Sequence, residues 1–179
     1  DGCWTEAASL WNVAIAEDSV TPMTYYYLGW CLVQGKLSGA EQAFADAASA
    51  CPDYCFPNRL EAILALQCAM EQNPNDAKAP YYLGNLYYDK RQYDLALEAW
   101  ETSAGLDDKF PTIWRNLALA NFNKKDEEAT AIEYMERAFQ LDTTDARVLM
   151  ELDQLYKRVR RPHSERLVFL QQYPELIAQ

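Results

Sequence analysis

Few residues in this chain have the type and spacing that chemistry needs. His163 is the only histidine, and it stands beside Arg161 and Pro162 where a helix should begin. That setting describes an exposed turn residue. The cysteines are Cys3, Cys31, Cys51, Cys55 and Cys68, an odd count without paired spacing, so no disulfide framework is expected. Reduced thiols in a cytosolic protein are the simplest account. Cys51 and Cys55 could lie close together, but no histidine or second cysteine pair is near, and structural zinc wants four such ligands. Acid pairs such as Glu127-Glu128 invite a comparison with sugar hydrolysis, which needs two carboxylates at a defined separation. Adjacency on a solvated helix does not provide that separation. No nucleophile elbow, phosphate loop or metal-binding helix motif occurs. The expectation is a chain with no catalytic residues, no cofactor and no metal.

Recognition is then the chemistry left to consider, and charge restricts it. The 179 residues carry a net charge of −11, which opposes the counterion displacement that nucleic-acid binding relies on. Up to Arg59 the only cation is Lys36, whereas Lys157, Arg158, Arg160, Arg161 and Arg166 crowd one short stretch. That cluster is either a solvated helix end or a patch for an acidic partner. No apolar run approaches the length of a membrane span, and no secretory signal is visible. Half the residues are apolar, with only 6 Gly and 8 Pro, which suits a helical core better than a turn-rich sheet.

The elements that would position a binding surface follow from a repeat. Ala, a large apolar residue four later and a small residue seven later recur along the chain. Ala40, Phe44 and Ala47 fit, as do Ala62, Leu66 and Ala69; Ala96, Trp100 and Ser103; and Ala131, Met135 and Ala138. Ala7, Trp11 and Ala14 give a fifth match. Pro52, Pro74, Asp108 and Thr143 stand in the stop position of the first four. Offsets of four and seven lie on one helix face, where small residues admit a neighbouring helix and the large one fills the groove. A second pattern precedes most of these: Leu28-Gly29, Leu83-Gly84, Leu117-Ala118 and Leu152-Asp153. Glycine in mid-helix costs up to about 1 kcal/mol, so it marks a tight contact. The two patterns together make a helix hairpin of about 34 residues.

The chain resembles the tetratricopeptide repeat family, most clearly over Ala79 to Asp108 with its Leu83-Gly84, Ala96, Trp100 and Ser103. The resemblance implies an all-α fold, a right-handed α-α superhelix of antiparallel helix pairs that forms a single solenoid over 1–179. The expected units are a partial repeat at 4–17, then 22–52, a shortened 53–74, 77–108, 110–143 and 145–174. Expected helices run 4–17, 22–34, 38–50, 58–72, 77–89, 92–105, 110–123, 127–140, 145–159 and 163–173. Marker alanines Ala40 and Ala62 are only 22 apart, so the shortened repeat near 51–74 lacks a first helix. Pro52 and Pro57 leave room for a turn there, with Phe56 expected to plug the gap. Because the chain starts at Asp1 and its first helix lacks a partner, it is expected to be a fragment of a longer protein.

The first helix of each pair lines the concave face in this family, so the resemblance implies a groove for a protein or peptide. Its expected contact residues are Tyr26, Trp30, Tyr81, Asn85, Tyr88, Arg115, Asn116, Phe122, Asn123, Arg147 and Gln154. Aromatic rings offer contact area at low entropy cost, and Asn can pair with an extended backbone through donor and acceptor. Some family members grip a C-terminal carboxylate with Lys, Asn, Asn, Lys and Arg. The corresponding positions here are Tyr81, Asn85, Asn116, Arg147 and Glu151, and Glu151 would repel a carboxylate, so tail binding of that kind is not expected. Segments from Tyr54 onward also resemble the repeat region of large bacterial proteins that carry a β-rich domain of unknown function tied to carbohydrate metabolism. That likeness suggests an intramolecular scaffold docking a sister domain. The expected setting is cytoplasmic, with no nucleic-acid or membrane partner.

Overall fold

A computed structural model describes residues 2–17 and 20–177. Its helices are α1 (Trp4–Ala16), α2 (Pro22–Gln34), α3 (Ala40–Ser49), α4 (Glu61–Gln72), α5 (Lys78–Asp89), α6 (Tyr93–Leu106), α7 (Pro111–Ala120), α8 (Glu128–Leu141), α9 (Ala146–Arg158), α10 (His163–Leu170) and α11 (Pro174–Ile177). A π turn, Asn121–Lys125, follows α7. Among the described residues there is no strand, as the repeat pattern requires. Two compact units divide the chain after Leu106.

In the first unit α1 packs on α2, α2 on α3, and α5 on α6. α4 packs against both α2 and α5. The repeating small and large residues make these contacts. Phe44, Leu66 and Trp100 are buried, and Ala47, Ala62, Ala69, Ala96 and Ser103 are fully so. The Leu-Gly positions explain themselves: a Cβ on Gly29 would lie 2.5 Å from the Phe44 ring, and one on Gly84 2.5 Å from the Trp100 indole. Each glycine is the floor on which the large residue of the paired helix rests. Ala7 and Ala40 border a cluster formed by Ala8, Leu28, Cys31, Leu32 and Ala43. Trp11 stacks on Tyr27 at 5.1 Å in the same region.

In the second unit α8 packs on α7 and on α9, which also receives α10 and α11. Ile113, Leu117, Met135 and Leu152 are fully buried there, with Ala131 and Ala138 between them.

Helix ends carry a recurring stop. Lys36, Arg91 and Arg160 take left-handed backbone at φ 53°, 60° and 61°. Each is followed by an N–H that reaches back past the helix end, as Leu37 does to Leu32, Gln92 to Tyr87 and Arg161 to Tyr156. This is the capping geometry that satisfies the last carbonyls, built here on cations where glycine is usual.

Three expectations need correction. Phe56 plugs nothing: it is 74% exposed, while Cys55 and Pro57 on either side are buried. An extended segment points alternate side chains to opposite sides, and the register favours Cys55. The helix expected over 110–123 ends at Ala120 and widens into the π turn. The Asn121 side chain donates to the Leu117 carbonyl at 2.9 Å, a local bond that competes with the regular ladder. The last expected helix breaks after Leu170, because the residue ahead of Pro174 is pushed out of helical backbone.

Candidate peptide-binding site

Within the first unit, α2 and α5 carry five of the expected contact residues, and two of them are not at the surface. Tyr26 is fully buried and Tyr81 is 6% exposed. Tyr26 packs edge-on against Tyr82 at 5.9 Å, and its hydroxyl donates to Asp76 Oδ2 at 2.7 Å. The missing helix of the shortened repeat accounts for this inward turn, since it leaves α2 facing the start of α5. Tyr81 lies against Tyr82, with ring centres 5.2 Å apart. Both tyrosines are therefore interior residues, which corrects their assignment to the groove.

The other three remain half-buried. Trp30 meets Trp4 edge-on at 5.3 Å. Asn85 accepts a hydrogen bond from Trp100 Nε1 at 3.1 Å. Tyr88 lies 5.2 Å from Tyr93 and 5.4 Å from Trp100. One face of α5 thus offers a half-exposed phenol beside an amide whose carbonyl is already held.

Asp76 is a key polar residue that the repeat pattern does not reveal. It is buried, and its Oδ1 accepts from the Lys78 N–H at 2.8 Å and the Ala79 N–H at 3.4 Å, capping α5. Burial raises its pKa above the ordinary carboxylate value, opposed by the Tyr26 hydrogen bond. Burial, then the Asp76 charge, raises the Tyr26 pKa as well. The Tyr82 hydroxyl is buried without a hydrogen bond, near the buried Cys55 thiol. An acid two residues ahead of a helix was the available sign of Asp76 as a cap.

In the second unit the expected residues are more open. Asn116 and Phe122 are half-buried, while Asn123, Arg147 and Gln154 are exposed. Arg115 is not free to meet a ligand. Its Nε donates to Glu151 Oε2 at 2.6 Å, its other fork nitrogen donates to Oε1, and Arg147 Nε reaches the same Oε1 at 3.2 Å. Glu151 thus supplies from within the carboxylate that a clamp would take from a partner. On α9, Arg147, Met150, Gln154, Lys157 and Arg158 share the solvent face, with Met150 61% exposed. Gln154 lines a notch of about 520 Å3 with Lys157, Arg158 and Arg160.

Among the described residues no three His, Cys, Asp or Glu side chains could hold a metal ion. Cys31, Cys55 and Cys68 are buried free thiols, and burial raises their pKa, which keeps them protonated and weak as nucleophiles. His163 is exposed. Among the described residues no helix is long and apolar enough to cross a membrane.

Residues 58–108 and 81–146 match the tetratricopeptide repeat family. Solved structures agree on the fold. A MamA double mutant, "MamA RS-1 ArsTM", superposes with a TM-score of 0.59 at 18% identity, covering 98% of this chain and 85% of its own. "Crystal structure of MamA protein" gives 0.58 at 17% identity, with 97% and 82% covered. MamA 41-end from Desulfovibrio magneticus RS-1 gives 0.55 at 18% identity, with 99% and 85% covered.

Proposed function

Because residues 58–146 match the tetratricopeptide repeat family, whose helix hairpins generally mediate protein–protein interaction, we propose that this chain is a protein- or peptide-binding scaffold. The observation that carries the proposal is what the helices leave uncovered. α5 holds Tyr88 half-exposed beside Asn85, and α9 presents Met150 and Gln154 on a face whose opposite side is sealed by Leu149, Leu152 and Tyr156. Within each unit by itself, a ring beside an amide (Tyr88 and Asn85 on α5) or a soft thioether beside an amide (Met150 and Gln154 on α9) suits an extended or helical peptide better than a small substrate, which needs an enclosed apolar pocket. The half-exposed Trp30 of α2 offers a further contact of the same kind.

A peptide-display selection on the purified chain tests this. Enriched sequences should lose binding to Tyr88→Ala or to Gln154→Ala while the melting temperature of the Gln154 variant stays unchanged. A selection that enriches nothing would sink the intermolecular reading. It would favour the alternative, a scaffold that docks a sister domain of its own, carbohydrate-related chain.

A further inference from the structure

Seven arginines lie in the second unit, and their pairing divides them. Arg115 and Arg147 share Glu151, Arg137 meets Asp108 at 3.0 Å, Arg161 meets Glu136 at 3.8 Å, and Arg166 forks onto Asp153. Arg158 and Arg160 are the exceptions. Both are exposed, neither has a carboxylate partner among the described residues, and both line the notch of about 520 Å3 with Lys157 and Gln154. On α9 itself the carboxylates Glu151 and Asp153 are already engaged, and Glu165 of α10, the next acid along the chain, makes no ion pair with either arginine among the described residues. In a chain of net charge −11, three unneutralised cations collected around one concavity are not the average of its surface.

The helix dipole explains only part of this. Lys157 and Arg158 sit in the last turn of α9, where a cation is favoured. Arg160 lies beyond the helix end, at left-handed φ 61°, a conformation that glycine adopts more easily. A cation there gains little from the dipole and carries a backbone cost.

We infer that this notch, at the C-terminal end of α9, is a recognition site for an acidic peptide segment, whose carboxylates take the two arginine forks while Gln154 pairs with its backbone. The inference rests on the peptide-binding reading and adds the chemistry of the partner. A long polyanion is the wrong ligand, because the surrounding negative field opposes it beyond the first contacts. A short Asp/Glu run meets only the local cations. Arginine forks match carboxylates in two parallel hydrogen bonds, which is the geometry the same unit already uses at Glu151 and Asp153.

The test uses the whole chain and a fluorescein-labelled Gly-Ser peptide with a central run of glutamates, read by polarisation at low and at physiological salt. Arg160→Gly removes the charge while easing the left-handed backbone, so the fold is kept. Arg91→Gly is the matched control, because Arg91 has the same backbone at the end of α5 in the first unit. Arg160→Gly and Lys157→Ala/Arg158→Ala should each weaken binding, together by at least about tenfold, with Arg91→Gly unchanged. Equal losses from Arg91→Gly, or none from Arg160→Gly, would overturn the site. Tighter binding of the wild type to oligothymidylate or to phosphatidylserine vesicles than to the peptide would overturn the ligand class. If display-selected peptides respond to Tyr88→Ala but not to Arg160→Gly, the scaffold function stands and the acidic site falls.

Discussion

At Tyr26 a hydroxyl fully removed from water donates to a buried carboxylate, and that one bond joins α2 to the cap of α5. Tyr26→Phe should cost about 1.5 kcal/mol, because Asp76 keeps its two backbone donors but loses its third. The same pair sets a pH dependence. The Tyr26 pKa is raised in the folded chain, chiefly by burial, so the native state holds this proton more tightly than the unfolded state does. Its contribution to stability is complete below the ordinary tyrosine value of 10.0 and is lost progressively as pH rises from there toward the raised folded value. Tyr82 and Tyr156, also raised chiefly by burial, act in the same direction. Denaturant melts should therefore weaken as pH climbs past about 10, and Tyr26→Phe should weaken less steeply. A parallel decline in both proteins would contradict the assignment. None of this was legible in the repeat pattern, where Tyr26 and Asp76 stand 50 residues apart with no spacing that links them.

Helix hairpins are the scale at which the sequence is most explicit. Small residues at offsets of seven, and glycine after leucine, declare where one helix touches another, and the buried Ala62, Ala96 and Ala131 are those contacts. The clearest check is Gly84→Ala. Alanine gains up to about 1 kcal/mol in helix propensity, but its Cβ would meet the Trp100 ring at 2.5 Å. Displacing the indole also strains its bond to Asn85, so the net effect should be a loss of about 1–2 kcal/mol in chemical denaturation, with reduced near-ultraviolet dichroism from Trp100. A stabilised variant would mean that the indole can move freely. Ends of elements were less legible. The π turn after α7 depends on one side-chain bond from Asn121, and the outward turn of Phe56 depends on the register of a segment without periodicity.

For the molecule as a whole, the division after Leu106 makes a prediction of its own. Ile113, Leu117, Met135 and Leu152 give the second unit an interior made from its own helices. Expressed alone from Asp107 onward, that unit should show helical far-ultraviolet dichroism and a cooperative melt. Its small core should leave it no more than about 3–5 kcal/mol stable. A random-coil spectrum would show that its helices need the rest of the chain. By itself the sequence determined an all-helical chain of repeated hairpins, with one repeat shortened, because helix periodicity and small-residue spacing are local properties written along the chain. Only the tertiary structure decided which side chains remain available to a partner. Tyr26 and Tyr81 turned inward, Arg115 was taken by Glu151, and Arg158 and Arg160 have no carboxylate partner among the described residues. The physical reason is that exposure and pairing depend on how closely distant helices approach, and no periodicity within one helix records that distance.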